Sequence, residues 1–100
     1  MTIQSEKVDN NTVVLHLTGR LDTVCAPILD RELKPLLEST TEIILDFKEL
    51  SYVSSSGLHV LLQALKVMNA SGRNLVIRNV CDSVRTVFVM TGLINLITLE

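Results

Sequence analysis

One hundred residues, 47% of them hydrophobic, are enough to bury one core and too apolar for a disordered chain. A net charge of −2, from 9 basic and 11 acidic residues scattered along the chain, leaves no basic run to neutralise phosphates, so neither nucleic acid nor an anionic membrane surface is an expected partner. With 3 aromatic residues (Phe47, Tyr52 and Phe88) and no tryptophan, the chain also lacks stacking faces for single-stranded bases.

Residues Met1 to Lys7 are polar and contain no signal-peptide apolar region. No apolar stretch approaches the roughly 20 residues that cross a bilayer. A cytoplasmic protein with no membrane insertion is expected. Cys25 and Cys81 lie far apart, outside any CxxC spacing and without a His or Cys at ligand spacing. They read as small hydrophobes in or near the core of a protein kept reduced, with neither metal nor disulfide implied.

Thr12 to Thr18 alternates, with Val13, Leu15 and Leu17 on one face and Thr12, His16 and Thr18 on the other, the period of a half-buried strand. His16 has no evident partner. Asp9-Asn10-Asn11 is turn chemistry, which predicts a hairpin with the polar Thr2–Val8 strand at the sheet edge. Gly19 to Thr23 breaks the pattern. Asp22 or Thr23 then caps a helix with Ile28, Leu29, Leu33, Leu36 and Leu37 on one side. Pro27 suits its first turn; Pro35 is expected to kink or end it.

Glu42 to Phe47 reads as a strand covered on both faces, followed by a loop from Lys48 to Val53 and the run Ser54-Ser55-Ser56-Gly57. Leu58, Leu61, Leu62, Leu65 and Met68 then recur at helical spacing. Val60, Ala64 and Val67 widen that stripe, so only His59, Gln63 and Lys66 form a polar edge and the helix is expected to be nearly engulfed. Gly72 suits a left-handed cap. Leu75-Val76-Ile77 is another strand. Asp82 or Ser83 caps a third helix that presents Val84, Val87, Phe88 and Met90 and stops at Gly92, and Leu96 to Leu99 adds a last short strand. The order β-β-α-β-α-β-α-β predicts an α/β domain over residues 1–100 with a mixed sheet of four or five strands.

Chemistry concentrates at the serine run. A serine there accepts from a free backbone N–H at the helix start, worth about 1 kcal/mol. Three serines exceed what one cap needs, and Gly57 lets another surface approach the backbone closely. A helix start also favours a phosphate, which would bring about −1.5 to −2 charges to a surface of small hydroxyls. A Ser55–His59 nucleophile pair is disfavoured, because no Gly-x-Ser-x-Gly elbow is present and an i,i+4 pair seldom aligns a hydroxyl for attack. Asp46, interrupting Ile43-Ile44-Leu45-Asp46-Phe47, is expected to accept backbone N–H groups from the following residues or to face a ligand at the strand end. No phosphate-cradling P-loop occurs.

The segment from Ile44 to Leu58, with Leu17-Thr18-Gly19-Arg20-Leu21-Asp22 before it and Thr91-Gly92-Leu93 after it, resembles the STAS family of anti-sigma factor antagonists and sulphate transporters. The resemblance spans essentially the whole chain. It implies helices mostly on one face of the sheet, no catalysis by the domain, no cofactor, and binding to an anti-sigma factor that is also a serine kinase. By position the phosphorylated serine corresponds to Ser55, with Ser54, Ser56, Gly57, Asp22 and Asp46 as site neighbours, and a serine phosphatase as the enzyme that resets it. Weak nucleotide binding, found in some relatives, stays open. One departure stands out: the family usually carries Asp immediately before the accepting serine, and here that slot holds Ser54. The alternative is a non-phosphorylated STAS subunit of a larger complex, such as a scaffold-type regulator or a lipid-transport system.

Overall fold

The computed structural model describes residues 1–100. The elements are β1 (Thr2–Lys7), β2 (Thr12–Leu21), α1 (Ala26–Ser39), β3 (Glu42–Val53), α2 (Ser55–Ala70), β4 (Asn74–Arg78), α3 (Asp82–Thr91), a 3-10 turn (Leu93–Asn95) and β5 (Thr98–Leu99). The five strands lie in the order β1-β2-β3-β4-β5; β1 is antiparallel to β2 and the remaining pairs are parallel. Right-handed crossovers that always step the same way along a sheet place every connecting helix on the same face.

Strand alternation sends Val13, Leu15 and Leu17 of β2, Ile43, Leu45 and Phe47 of β3, and Leu75 and Ile77 of β4 toward that layer. There they meet Leu29 and Leu33 of α1, Leu61, Leu65 and Met68 of α2, and Val84 and Phe88 of α3 in one apolar cluster. The rings of Phe47 and Phe88 pack with centroids 6.4 Å apart at 46°, a tilted arrangement that joins α3 to the sheet.

Several expectations are corrected. Helix α1 does not end at Pro35 but continues through it to Ser39. Pro35 lies on the exposed side, where water can satisfy the carbonyl that its ring leaves unpaired, and Leu29 and Leu33 pin the helix from the core side. The Arg73 guanidinium then closes the helix end, donating to the carbonyls of Thr40 (3.1 Å) and Leu37.

The segment expected as a loop, Lys48 to Val53, is strand, and β2 likewise continues to Leu21. Register shifts between His16 and Thr18 and between Gly19 and Arg20 break the two-residue period, so Phe47, Leu50 and Val53 are buried at intervals of three. Beyond Asp46 this ribbon pairs β3 with β2 alone. Arg20 and Tyr52 face each other across it, the guanidinium 4.1 Å from the ring centre.

Helix α2 is not engulfed. Gly57, Leu61, Ala64, Leu65 and Met68 are buried, whereas Ser55, His59, Gln63, Lys66 and Val67 face solvent. The sheet and α1 pack against the helix but leave its outer face uncovered, with an open groove on either side. Met90 is 80% exposed rather than packed, because it lies two residues, about 200° of helical turn, from the buried Phe88. The N-cap of α3 is Cys81, not Asp82 or Ser83. Both cysteines are unpaired and half-buried beside the core, and Gly72 and Gly92 take left-handed backbone at φ +70° and +79°.

Candidate functional site

The long β2–β3 ribbon ends where β3 turns into α2. Ser54 N–H donates to the Leu21 carbonyl at 2.8 Å, and Ser54 Oγ accepts from the Gly57 N–H at 3.1 Å. Its backbone is extended (φ −81°, ψ 170°), the conformation of a helix N-cap, and only 7% of the residue is exposed. Ser54→Ala is expected to lower the unfolding free energy by about 1 kcal/mol, with Ser54→Asp retaining most of it, as read from urea midpoints. Ser55, the first helical residue, is exposed, and Ser56 is half-buried.

Gly57 faces inward. A Cβ there would stand 2.7 Å from Leu21 Cγ and 3.0 Å from the Leu21 carbonyl oxygen. The surface that approaches this glycine is therefore the end of the chain's own β2. Immediately beyond Leu21, Asp22 Oδ1 accepts from Cys25 N–H at 2.9 Å and the Asp22 carbonyl from Ala26 N–H at 2.9 Å. Asp22 thus folds the turn into α1 rather than occupying its N-cap, which is Cys25. The hydrogen bond from Cys25 N–H holds the Asp22 carboxyl below its ordinary range.

Asp46 is placed elsewhere. Its neighbours Leu45 and Phe47 point into the helix layer, so Asp46 points to the bare face of the sheet, about 25 Å along β3 from the serine run. Its Oδ1 accepts from Lys48 N–H (3.0 Å) and Asn79 Nδ2 (3.0 Å), and its Oδ2 meets His16 Nδ1 at 3.0 Å. The bond from Lys48 is the backbone contact the sequence predicts. His16, which the sequence leaves without a partner, also reaches Glu6 with Nε2 at 3.0 Å and so bridges β1 to β3. Only the strand order brings these three residues together.

The Glu6 hydrogen bond, aided by Asp46, raises the His16 pKa against the opposing effect of burial. Burial pushes the Asp46 carboxyl up, but the hydrogen bonds from Asn79, Lys48 and His16 together outweigh it and leave the pKa lowered. The signs fix a window. The His16 contribution to stability is complete below its unfolded value of 6.5 and fades as pH rises through the raised native value. The Asp46 contribution is present above 3.8 and fades as pH falls through the lowered native value. The urea midpoint should therefore fall in the native chain as pH rises from about 6.5 through the raised His16 value, and His16→Gln should flatten that fall.

Around Ser55 the helix layer opens on both sides. A groove of about 840 Å³ lies between α1 and α2, with Pro27, Leu33, Leu37 and Val60 on its walls. A second, of about 300 Å³, lies between α2 and the α3 end, walled by Leu58, Leu62, Leu93 and Leu96. Ser55 and His59 line both, and no other residue does. The exposed hydroxyl therefore stands on a ridge between two partly apolar grooves, with a buried hydroxyl capping the helix beneath it.

Residues 2–100 match the STAS domain family. The chain belongs to the STAS family. A Bacillus subtilis (strain 168) protein named anti-sigma-B factor antagonist is 29% identical over 94 residues, which cover 94% of this chain and 86% of that one. Among solved structures, the anti-sigma factor antagonist SpoIIAA in its unphosphorylated form superposes with a TM-score of 0.81 at 25% identity, covering 99% of this chain and 87% of that one. The Bacillus cell fate determinant SpoIIAA in its phosphorylated form gives 0.79 at 27% identity, covering 99% and 91%. The sheet order, one-sided helix layer and element sequence are those of a STAS domain. Within this STAS site, Ser54, Ser55, Ser56 and Gly57 are brought together with the Leu21–Asp22 strand end, and Asp46 is not.

Proposed function

We propose that this STAS protein is a cytoplasmic anti-sigma factor antagonist that binds an anti-sigma factor serine kinase and is switched by phosphorylation of Ser55. One observation carries the reading: of three consecutive serines, Ser54 is buried and committed to the helix cap, Ser56 is half-buried, and Ser55 is exposed on the ridge between two grooves. Its likeness to proteins named as antagonists, one of them solved in a phosphorylated form, supports the partner class.

In the proposed cycle the kinase's ATP transfers its γ-phosphoryl group to Ser55 Oγ. An O–P bond forms at the serine, the bond to the β-phosphate oxygen breaks, ADP leaves, and the hydroxyl proton passes to a base of the kinase. A phosphatase hydrolyses the ester to restore the hydroxyl. Added charge at this point alters the docking surface without requiring the fold to change.

Ser54 in the usual Asp slot supports the second reading, a constitutive interaction subunit that is never phosphorylated. Against it, the Ser54 hydroxyl provides the same capping acceptor a carboxylate would, so the change removes a charge while the helix start keeps its geometry. Incubation with the cognate kinase and ATP, followed by mass spectrometry, decides between them. Phosphate on Ser55, absent in Ser55→Ala, is expected. No phosphate on Ser54, Ser55 or Ser56, with a kinase active on another antagonist, would overturn the switch and favour the constitutive subunit.

A further inference from the structure

We infer that His59 is the residue of this protein that holds a phosphate on Ser55, pinning it along the ridge so that one modification changes both grooves at once. The inference rests on the Ser55 reading above for its biological setting. It depends on where His59 lies. Ser55 and His59 are four residues apart on α2, both exposed, and they alone line both grooves. Residues at i and i+4 of a helix have Cβ atoms about 5–6 Å apart, and side chains lean toward the helix N-terminus. That spacing and lean bring the imidazole of His59 toward the turn that carries Ser55, within reach of a phosphate on Ser55 Oγ. An anion one turn before a cation is also the favourable order for a helical pair.

The surroundings leave few competitors. Across the first groove the charged residues are Asp30 and Lys34 of α1, already paired with each other at 3.4 Å. Across the second, the lining from α3 and the 3-10 turn is Thr91, Gly92, Leu93 and Leu96, with no charge. On α2 itself the next groove-lining residue along the ridge, Gln63, is neutral, and Lys66 lies about two turns beyond His59. His59 is thus the cation-forming side chain stationed one turn from Ser55, and Lys34 is the one rival that shares a groove with it. Serine next to histidine at this spacing is poorly placed for attack on a substrate but well placed for an anion that projects from the serine.

The test uses the 100-residue chain with phosphoserine installed at position 55 by chemical ligation, so that no kinase is needed. Phosphorus NMR follows the second ionisation of the phosphate, ordinarily near pH 6. An adjacent imidazolium favours the dianion, so the native chain is expected to titrate about 0.3 lower in pH than His59→Gln, and Lys34→Gln is expected to match the native chain. Coincident titrations of the native chain and His59→Gln would overturn the inference. So would a shift lost in Lys34→Gln but kept in His59→Gln, which would assign the phosphate to α1. His59 is exposed, so the glutamine variant should fold, and matching amide spectra check that. A failed kinase assay leaves this result standing, and coincident titrations leave the kinase assay standing, so the two readings fail separately.

Discussion

Gly57→Ala is expected to destabilise the protein by about 1–3 kcal/mol, the usual cost of forcing one methyl group into a packed core. The added Cβ would press on Leu21 Cγ at 2.7 Å and on the Leu21 carbonyl oxygen at 3.0 Å. Neither can yield easily. Leu21 is fully buried, its Cγ is the branch point of the side chain, and its carbonyl already accepts from Ser54 N–H at 2.8 Å. Relief would push α2 away from the end of β2 and stretch the bond that seats the serine run. Urea unfolding should show a lower midpoint with an unchanged slope, and proton exchange at the amides of Ser54 and Gly57 should accelerate more than exchange at β4. A midpoint equal to that of the native chain would show that the strand end is softer than its packing implies.

The second large effect concerns partner binding. With Ser55 as the switch, Ser55→Asp should weaken the complex with the anti-sigma factor kinase by about tenfold or more, or at least about 1.4 kcal/mol, while Ser55→Ala stays within about twofold of the native chain. The asymmetry follows from placement. The Ser55 hydroxyl has no structural bond to lose, whereas a carboxylate on the ridge must be desolvated, or must face like charge, when a partner closes over the grooves. Titration calorimetry with all three proteins reads both arms. Equal affinities would remove charge as the basis of the switch.

The sheet and helix order were legible because β2, β3 and β4 carry apolar alternation or short β-branched runs, and those signals are local. The serine run was legible as a helix start for the same reason: a cap needs only a hydroxyl and the three residues after it. What escaped was set by partners distant in sequence. Lys48 to Val53 looked like a loop because register shifts spread its buried residues three apart, a spacing that belongs to neither strand nor helix on its own. Pro35 looked like a breaker because its exposure, and the Arg73 side chain that closes the helix beyond it, depend on the packed structure. His16 acquired two carboxylates only once β1 and β3 were set on either side of β2. The open side of α2 was hidden for a similar reason. Val60, Ala64 and Val67 are apolar, but hydrophobicity alone does not say which side of the helix its neighbours leave uncovered.

The His16–Glu6–Asp46 bridge lies on the bare face of the sheet, and Ser55 lies at the far end of the ribbon on the helix side. Substitutions at sites that share no contacts and lie more than about 10 Å apart usually add in free energy. The two surfaces are therefore thermodynamically separable: changes at Glu6, His16 or Asp46 should set the overall stability and its dependence on acidity, while the affinity difference between the native chain and Ser55→Asp stays constant. Selection, or an engineer, can adapt the protein to a different temperature or pH from one side without recalibrating the proposed switch on the other.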